Sequence, residues 1–135
     1  MAGTFALSIV SPEGDVLKED VEFIVLPGVQ GELGILPNHS ALIAGLDIGI
    51  LRYTIKGVSK RAAIGGGFVE VVDNSAVVLA DTAELSENID VARALKAKER
   101  AAKRLTGNLA EVDIQRAEYA LRKATARVDA AQDKK

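Results

Sequence analysis

The chain has no cysteine and no tryptophan, one histidine, one methionine and three prolines, and aromatic residues make up only 4% of it. Without cysteine there can be neither a disulfide framework nor a thiolate metal site, and the cytoplasm is the default compartment. A lone histidine (His39), no thiol and no serine in a nucleophile-elbow pattern leave a catalytic triad without members, so no enzyme activity and no metal are expected. No apolar run approaches the ~20 residues that a membrane span needs, so direct membrane insertion is not expected either. The first residues, Met1 to Asp15, lack the basic flank and long apolar stretch of a secretory signal.

What remains is ordinary in amount and uneven in placement. Of the 135 residues, 48% are hydrophobic and 27% charged, enough for one core, or a small core with an appendage packed on it. The net charge of -2 is too acidic for a protein that lives by neutralising phosphate backbones. That average hides a split. Residues 1 to 90 carry five basic residues against thirteen acidic ones, net -8, whereas residues 91 to 135 carry twelve against six, net +6. Two pieces with different electrostatic tasks are implied, the second suited to an acidic surface or a phosphate-bearing ligand.

Up to about Thr82 the residue pattern has period two. Phe5, Leu7 and Ile9 alternate with Ala6 and Ser8, and Ser11-Pro12-Glu13-Gly14 makes a turn. Val21, Phe23 and Val25 alternate again, as do Leu51, Tyr53 and Ile55 before Lys56-Gly57. Phe68–Val72 and Ala76–Ala80 flank Asp73-Asn74-Ser75 as a hairpin. The expectation is an α+β chain whose N-terminal part, residues 1–86, is an antiparallel β-sandwich or barrel. The stretch from Pro27-Gly28 to Gly45 reads as a long loop, and Gly65-Gly66-Gly67 as a strand turn, since no Gly-Lys-Ser/Thr follows it.

From residue 87 to 135 the pattern changes to that of an antiparallel helical hairpin. Asn88 is the expected N-cap, with Asp90 in the first turn, and Gly107 the expected left-handed stop. Asn108 and Glu111 have the spacing of a capping box for a second helix. That helix carries a heptad seam, Ala110, Ile114, Ala117, Leu121, Ala124, Val128 and Ala131, of which four are alanine. At ~0.8 kcal/mol per buried methylene, an alanine seam holds a hairpin far less firmly than a leucine seam, so a ligand or partner can switch it.

Arg93 and Arg100 lie seven apart on the first helix, and Arg116, Lys123 and Arg127 follow at spacings of seven and four on the second. Two readings stand: a solvated, solubilising face, or an anion site in which guanidinium forks hold a polyphosphate while Glu84 and Asp90 accept from an adenine amine or a ribose hydroxyl. His39, in Pro37-Asn38-His39-Ser40, is either a hydrogen-bonded loop residue or a partner contact.

Three stretches resemble the epsilon subunit of bacterial rotary ATP synthases, in order and spacing over essentially the whole chain: Ser8 to Gly14, Gly31 to His39, and Gly66 to Val71. Ile89-Asp90-Val91-Ala92-Arg93-Ala94 is similar to the motif with which some members of that family bind ATP. The resemblance implies a non-catalytic rotor subunit at the cytoplasmic face of the membrane. Its sandwich would dock on the gamma stalk and touch the ring of c subunits. Its hairpin would either fold down or extend toward the alpha/beta catalytic head and oppose ATP hydrolysis. It further implies ATP as a regulatory ligand, with no required cofactor, held by Glu84, Ile89, Asp90, Arg93, Ala94, Arg100, Lys123 and Arg127. Glu32 and His39 map onto the loop that contacts ring and stalk. Lys123 stands where the family pattern has arginine, and a point charge grips phosphate less well than a planar fork. The rival from another class is a free-standing nucleic-acid or ribosome-associated module using the basic hairpin, although Tyr119 is the only aromatic platform there.

Overall fold

The computed structural model describes residues 3–107 and 110–132, and for Glu111 and Val112 it describes the backbone alone. Eight strands precede the helices: β1 (Phe5–Ser11), β2 (Gly14–Val21), β3 (Phe23–Gly28), β4 (Gly31–Ile35), β5 (Leu42–Ile55), β6 (Val58–Val72), β7 (Ser75–Ala80) and β8 (Ala83–Leu85). A 3-10 turn (Ser86–Asn88) leads into α1 (Val91–Leu105) and α2 (Glu111–Ala131). The strands pair in the order β2-β1-β7-β6-β5-β3-β4, with β8 beside β6. The sheet stays open, so the architecture is a sandwich and not a closed barrel. Pairing is antiparallel throughout except where β1 runs parallel to β7.

The core forms as alternation dictates. Phe5, Leu7 and Ile9 of β1 point inward, and across the ladder Leu7 pairs with Ala76 and Ile9 with Val78, both buried. Leu51 and Tyr53 of β5 join them, and burial pushes the Tyr53 hydroxyl above its ordinary pKa, with Glu87 and Glu19 adding to the rise.

Several expectations need correcting. Val21 is buried, but Phe23 is exposed and Val25 only half-buried, while Ile24 and Leu26 are fully buried. The chain leaves β2 at Val21 and enters β3 at Phe23, and the break at Glu22 shifts the pattern by one residue and so exchanges the faces. The Gly/Pro-rich stretch from Pro27 to Gly45 is not one loop: it holds the end of β3, all of β4 and the start of β5. Its turn is Val29-Gln30, closed by the Gly28–Gly31 pair, with Gly31 at φ +124°.

Gly65-Gly66-Gly67 is no turn either, since it lies in the middle of β6. Before it, Ala62, Ala63 and Ile64 pair with β8; from its last residue on, Gly67 to Val72 pair with β7. The strand bends where it changes neighbour. Gly66 and Gly67 sit at φ +98° and +125°, and a Cβ on Gly67 would fall 2.1 Å from the Leu79 carbonyl oxygen.

The helix caps also differ from expectation. Asp90, not Asn88, is the N-cap of α1: its carboxylate accepts from the Arg93 backbone N–H at 3.1 Å, and Asn88 belongs to the preceding 3-10 turn. Gly107 is not left-handed. The helix instead tightens at Thr106, whose backbone N–H and hydroxyl both donate to the Lys103 carbonyl. Asn108 and the Glu111 side chain, the two halves of the expected capping box, lie outside the described residues; the N-cap of α2 is Ala110.

Candidate functional site

The hairpin folds down on the sandwich chiefly through α2, which lies along β5 and β6. Of the expected seam, Ala117, Ala124 and Val128 are buried, Ile114, Leu121 and Ala131 half-buried, and Ala110 exposed. A second row, Ala126 and Ala130, is also buried. Ala130 and Val128 pack with Ala63, Ile89 and Ala94 in a small apolar cluster set apart from the main core. Contacts between side chains this small stabilise the packing of hairpin on sandwich by on the order of a few kcal/mol.

Polar tethers complement that cluster. Arg127 on α2 pairs with Glu84 on β8 at 2.8 Å, both side chains about two-thirds covered. Arg122 pairs with Asp47 on β5, each about half exposed. The Asp47 carboxylate also accepts from the Ile48 N–H, and that bond first, then Arg122, holds its pKa below the ordinary aspartate value. Arg61 on β6 donates through Nε to the Ala130 carbonyl at 3.0 Å, placing a cation at the negative end of α2.

Between the hairpin and the sandwich lies a cleft of about 630 Å³. The β1–β2 turn with Glu13 and Asp15 forms one wall, Gly65, Thr82 and Glu84 form the floor, and Ala97, Tyr119, Lys123 and Arg127 close it from the helices. Gly65 matters here because a Cβ would meet the Thr82 hydroxyl at 2.0 Å, while the Lys123 stem passes 3.7 Å away. The Lys123 ammonium sits 5.5 Å from the centre of the Tyr119 ring, a cation–π distance.

Of the residues that the ATP motif implies, Glu84, Lys123 and Arg127 line this cleft together. Arg93 and Arg100 do not line it. They are exposed, but they flank Ala97 at spacings of four and three, which puts them on the α1 face that borders it. Ile89 and Ala94 are buried in the small apolar cluster, and Asp90 caps α1. The motif therefore has a structural job, fixing the start of α1, whatever it binds.

Glu32 lies on β4 and meets Arg52 of β5 at 3.5 Å. His39 lies in the β4–β5 connection, its Nδ1 2.8 Å from the Ser40 carbonyl oxygen. Glu32 and His39 make no hydrogen bond or ion pair with each other among the described residues. The residue reading missed an apolar surface on the outer face of the sheet. Ile43 (70% exposed), Phe68 (48%), Leu79 (42%) and Val72 (42%) stand there on β5, β6 and β7 around the carboxylate of Glu70, with Val29 against Gly45. A signal existed: Phe68–Val72 and Ala76–Ala80 are almost continuously apolar, and strands of that kind are covered on both faces.

The chain is thus a sandwich with an apolar outer face and an ion-paired helical hairpin laid against it, its helices holding a cleft over the sheet. Family models describe both parts: the ATP synthase delta/epsilon chain β-sandwich domain matches residues 4–86, and the long α-helix domain of the same chain matches residues 87–132. The chain belongs to the delta/epsilon family of ATP synthase chains. It is 58% identical over 133 residues to the ATP synthase epsilon chain of Desulfitobacterium hafniense, covering 98% of this chain and 100% of that one. It is 52% identical over 130 residues to that of Syntrophomonas wolfei, covering 96% and 95%. Among solved structures, a chain of the Euglena gracilis mitochondrial ATP synthase, in its OSCP/F1/c-ring assembly, superposes with a TM-score of 0.80 at 28% identity, covering 96% of this chain and 81% of that one. A chain of the Tetrahymena thermophila central stalk and c-ring shares the fold at 19% identity and a TM-score of 0.59, covering 98% and 96%. None of these comparisons supports the nucleic-acid reading.

Proposed function

We propose that this chain is a non-catalytic subunit of the ATP synthase rotor, on the cytoplasmic face of the membrane, linking the gamma stalk to the ring of c subunits. Its hairpin restrains ATP hydrolysis when released toward the catalytic head, and bound ATP favours the docked form. The apolar outer face of β5–β7 supports a stalk contact, since such a surface is stabilised by a protein partner. Glu32 and the His39 loop supply polar contacts to ring and stalk. The carrying observation is how the hairpin is held: small side chains and a few ion pairs over a cleft that contains Glu84, Lys123 and Arg127.

A polyphosphate in that cleft would recruit Lys123 and Arg127 from α2, and Arg93 and Arg100 from the bordering face of α1, tying both helices to the sandwich. A ligand shifts the equilibrium only by its preference for one form, and ~100-fold preference amounts to ~2.7 kcal/mol, matching the scale of the docking contacts. Titration calorimetry of ATP into the full chain tests this. We expect binding that weakens in Arg127→Ala and in Arg93→Ala. Asp90→Ser is a better probe than Asp90→Ala because serine keeps the helix cap while deleting the carboxylate. No heat at ~1 mM ATP would remove the ligand role, and absence of any association with a stalk–ring complex would remove the subunit role.

A further inference from the structure

The β6–β7 turn is tight, with Asp73 at φ +50° and Asn74 at φ +58°, the two successive left-handed residues of a type I′ hairpin. Glycine suits the second position at least as well as asparagine, so turn geometry alone gives no reason for a carboxamide at 74. What the carboxamide adds is two long-range hydrogen bonds. Oδ1 accepts from the Asn38 backbone N–H at 2.7 Å, and Nδ2 donates to the Thr4 carbonyl at 3.0 Å. The Asn74 backbone carbonyl also accepts from the Ala6 N–H at 3.3 Å. One residue thus joins the segment before β1, the β6–β7 turn and the β4–β5 connection.

The Asn74 carboxamide ties the backbone of residues 36–41, at Asn38, to another segment. Asn38 is itself left-handed, at φ +63°, a conformation that asparagine tolerates better than most residues and that the Asn74 bond helps to fix. His39 follows directly, its ring resting on the Ser40 carbonyl of the same loop. Fixing Asn38 therefore fixes the direction in which His39 and Leu36, 55% exposed, are presented.

We propose that Asn74 is a positioning residue for the rotor contact, holding the Pro37–Ser40 loop in its binding shape before the partner arrives. This rests on the functional reading above, in which that loop meets the ring and stalk. A loop ordered in advance spares the association the entropy of ordering it, and the complex binds more tightly for that reason.

The test compares three full-length chains: wild type, Asn74→Gly and Asn74→Asp. Glycine keeps the turn's backbone and removes both side-chain bonds. Aspartate keeps the acceptor for the Asn38 N–H but sets a second carboxylate oxygen, in place of the Nδ2 donor, against the Thr4 carbonyl. Two readouts are taken: amide hydrogen exchange at Asn38 and His39 in the free chain, and affinity for a gamma–c-ring complex stripped of this subunit. We expect Asn74→Gly to fold, to exchange faster at Asn38, and to bind about tenfold more weakly, an entropic loss of the size expected for freeing part of one loop. Asn74→Asp should regain the protection at Asn38 and bind more tightly than Asn74→Gly, short of wild type because of the oxygen facing the Thr4 carbonyl. Wild-type affinity in Asn74→Gly, unchanged Asn38 exchange there, or an Asn74→Asp chain whose Asn38 exchanges as fast as in the glycine variant would each overturn the positioning role. Failure of the wild-type chain to bind the complex would instead overturn the functional reading, and the proposal with it.

Discussion

At the scale of single residues, the side chains that shape this molecule are those that meet across long sequence separations. Asp47 and Arg122 are 75 positions apart, and nothing in the residue pattern pairs them. Their contact has a consequence that pH exposes. The Asp47 carboxyl is held below its ordinary pKa of 3.8 by the Ile48 N–H and then by Arg122. A group whose pKa is lower folded than unfolded stabilises the fold above the unfolded value, and that contribution is lost as pH falls through the folded value. Because both partners are about half exposed, solvent screening limits the pair to ~1 kcal/mol or less. Asp47→Asn should therefore melt slightly below wild type at neutral pH, and the two melting curves should converge below the ordinary aspartate range. A difference that persists undiminished in acid would show that the carboxylate charge is not its source. The glycines of β6 make the complementary point. Their number marked them in the sequence, but whether they turned or bent the strand depended on β8, a three-residue neighbour with no pattern of its own.

At the scale of elements, the strands of period two and both helices could be read from the sequence, whereas caps and faces could not always be. The face of β3 was misread because one residue, Glu22, separates it from β2, too short an interruption to show as a break in alternation. The hairpin's alanine content was visible, and the structure adds its meaning: Ala94 and Ala101 of α1 and Ala117 and Ala124 of α2 are all buried. Small side chains at a contact let two helices approach closely. Ala94 is the tightest of them, fully buried among Ile89, Val128 and Ala130. Ala94→Leu should overpack this point and destabilise the docked hairpin by ~1–3 kcal/mol, while leaving the main core untouched. Hydrogen exchange would report it as faster opening of α1 and α2 with unchanged protection in β1, β6 and β7. Uniform loss of protection across the sandwich would mean that hairpin and sheet form one cooperative unit.

For the molecule as a whole, the division of labour seen in the charge split reappears in how the parts are held. The main core draws on strands alone: its buried members run from Phe5 to Ala80, and none comes from α1 or α2. The hairpin rests on a separate, smaller cluster and on ion pairs between its arginines and sandwich carboxylates, the contact that a +6 segment makes with a -8 one. The apolar outer face of β5–β7 lies apart from that cluster. These separations predict that two variants will part the proposed tasks. A chain ending after Glu87 keeps every main-core residue, so it should fold, assemble with the stalk and ring, and let the complex hydrolyse ATP faster than the intact chain does. Phe68→Glu removes no main-core residue, since Phe68 is 48% exposed, so its stability should change by no more than ~0.5 kcal/mol. A second carboxylate beside Glu70 would replace the largest apolar side chain of that face and be costly to desolvate, however, and assembly should fall. Co-purification and ATPase assays on both variants check the pair. If the truncated chain failed to assemble, or if Phe68→Glu assembled as wild type, the sandwich would not be the anchoring part and the two tasks would not be separable.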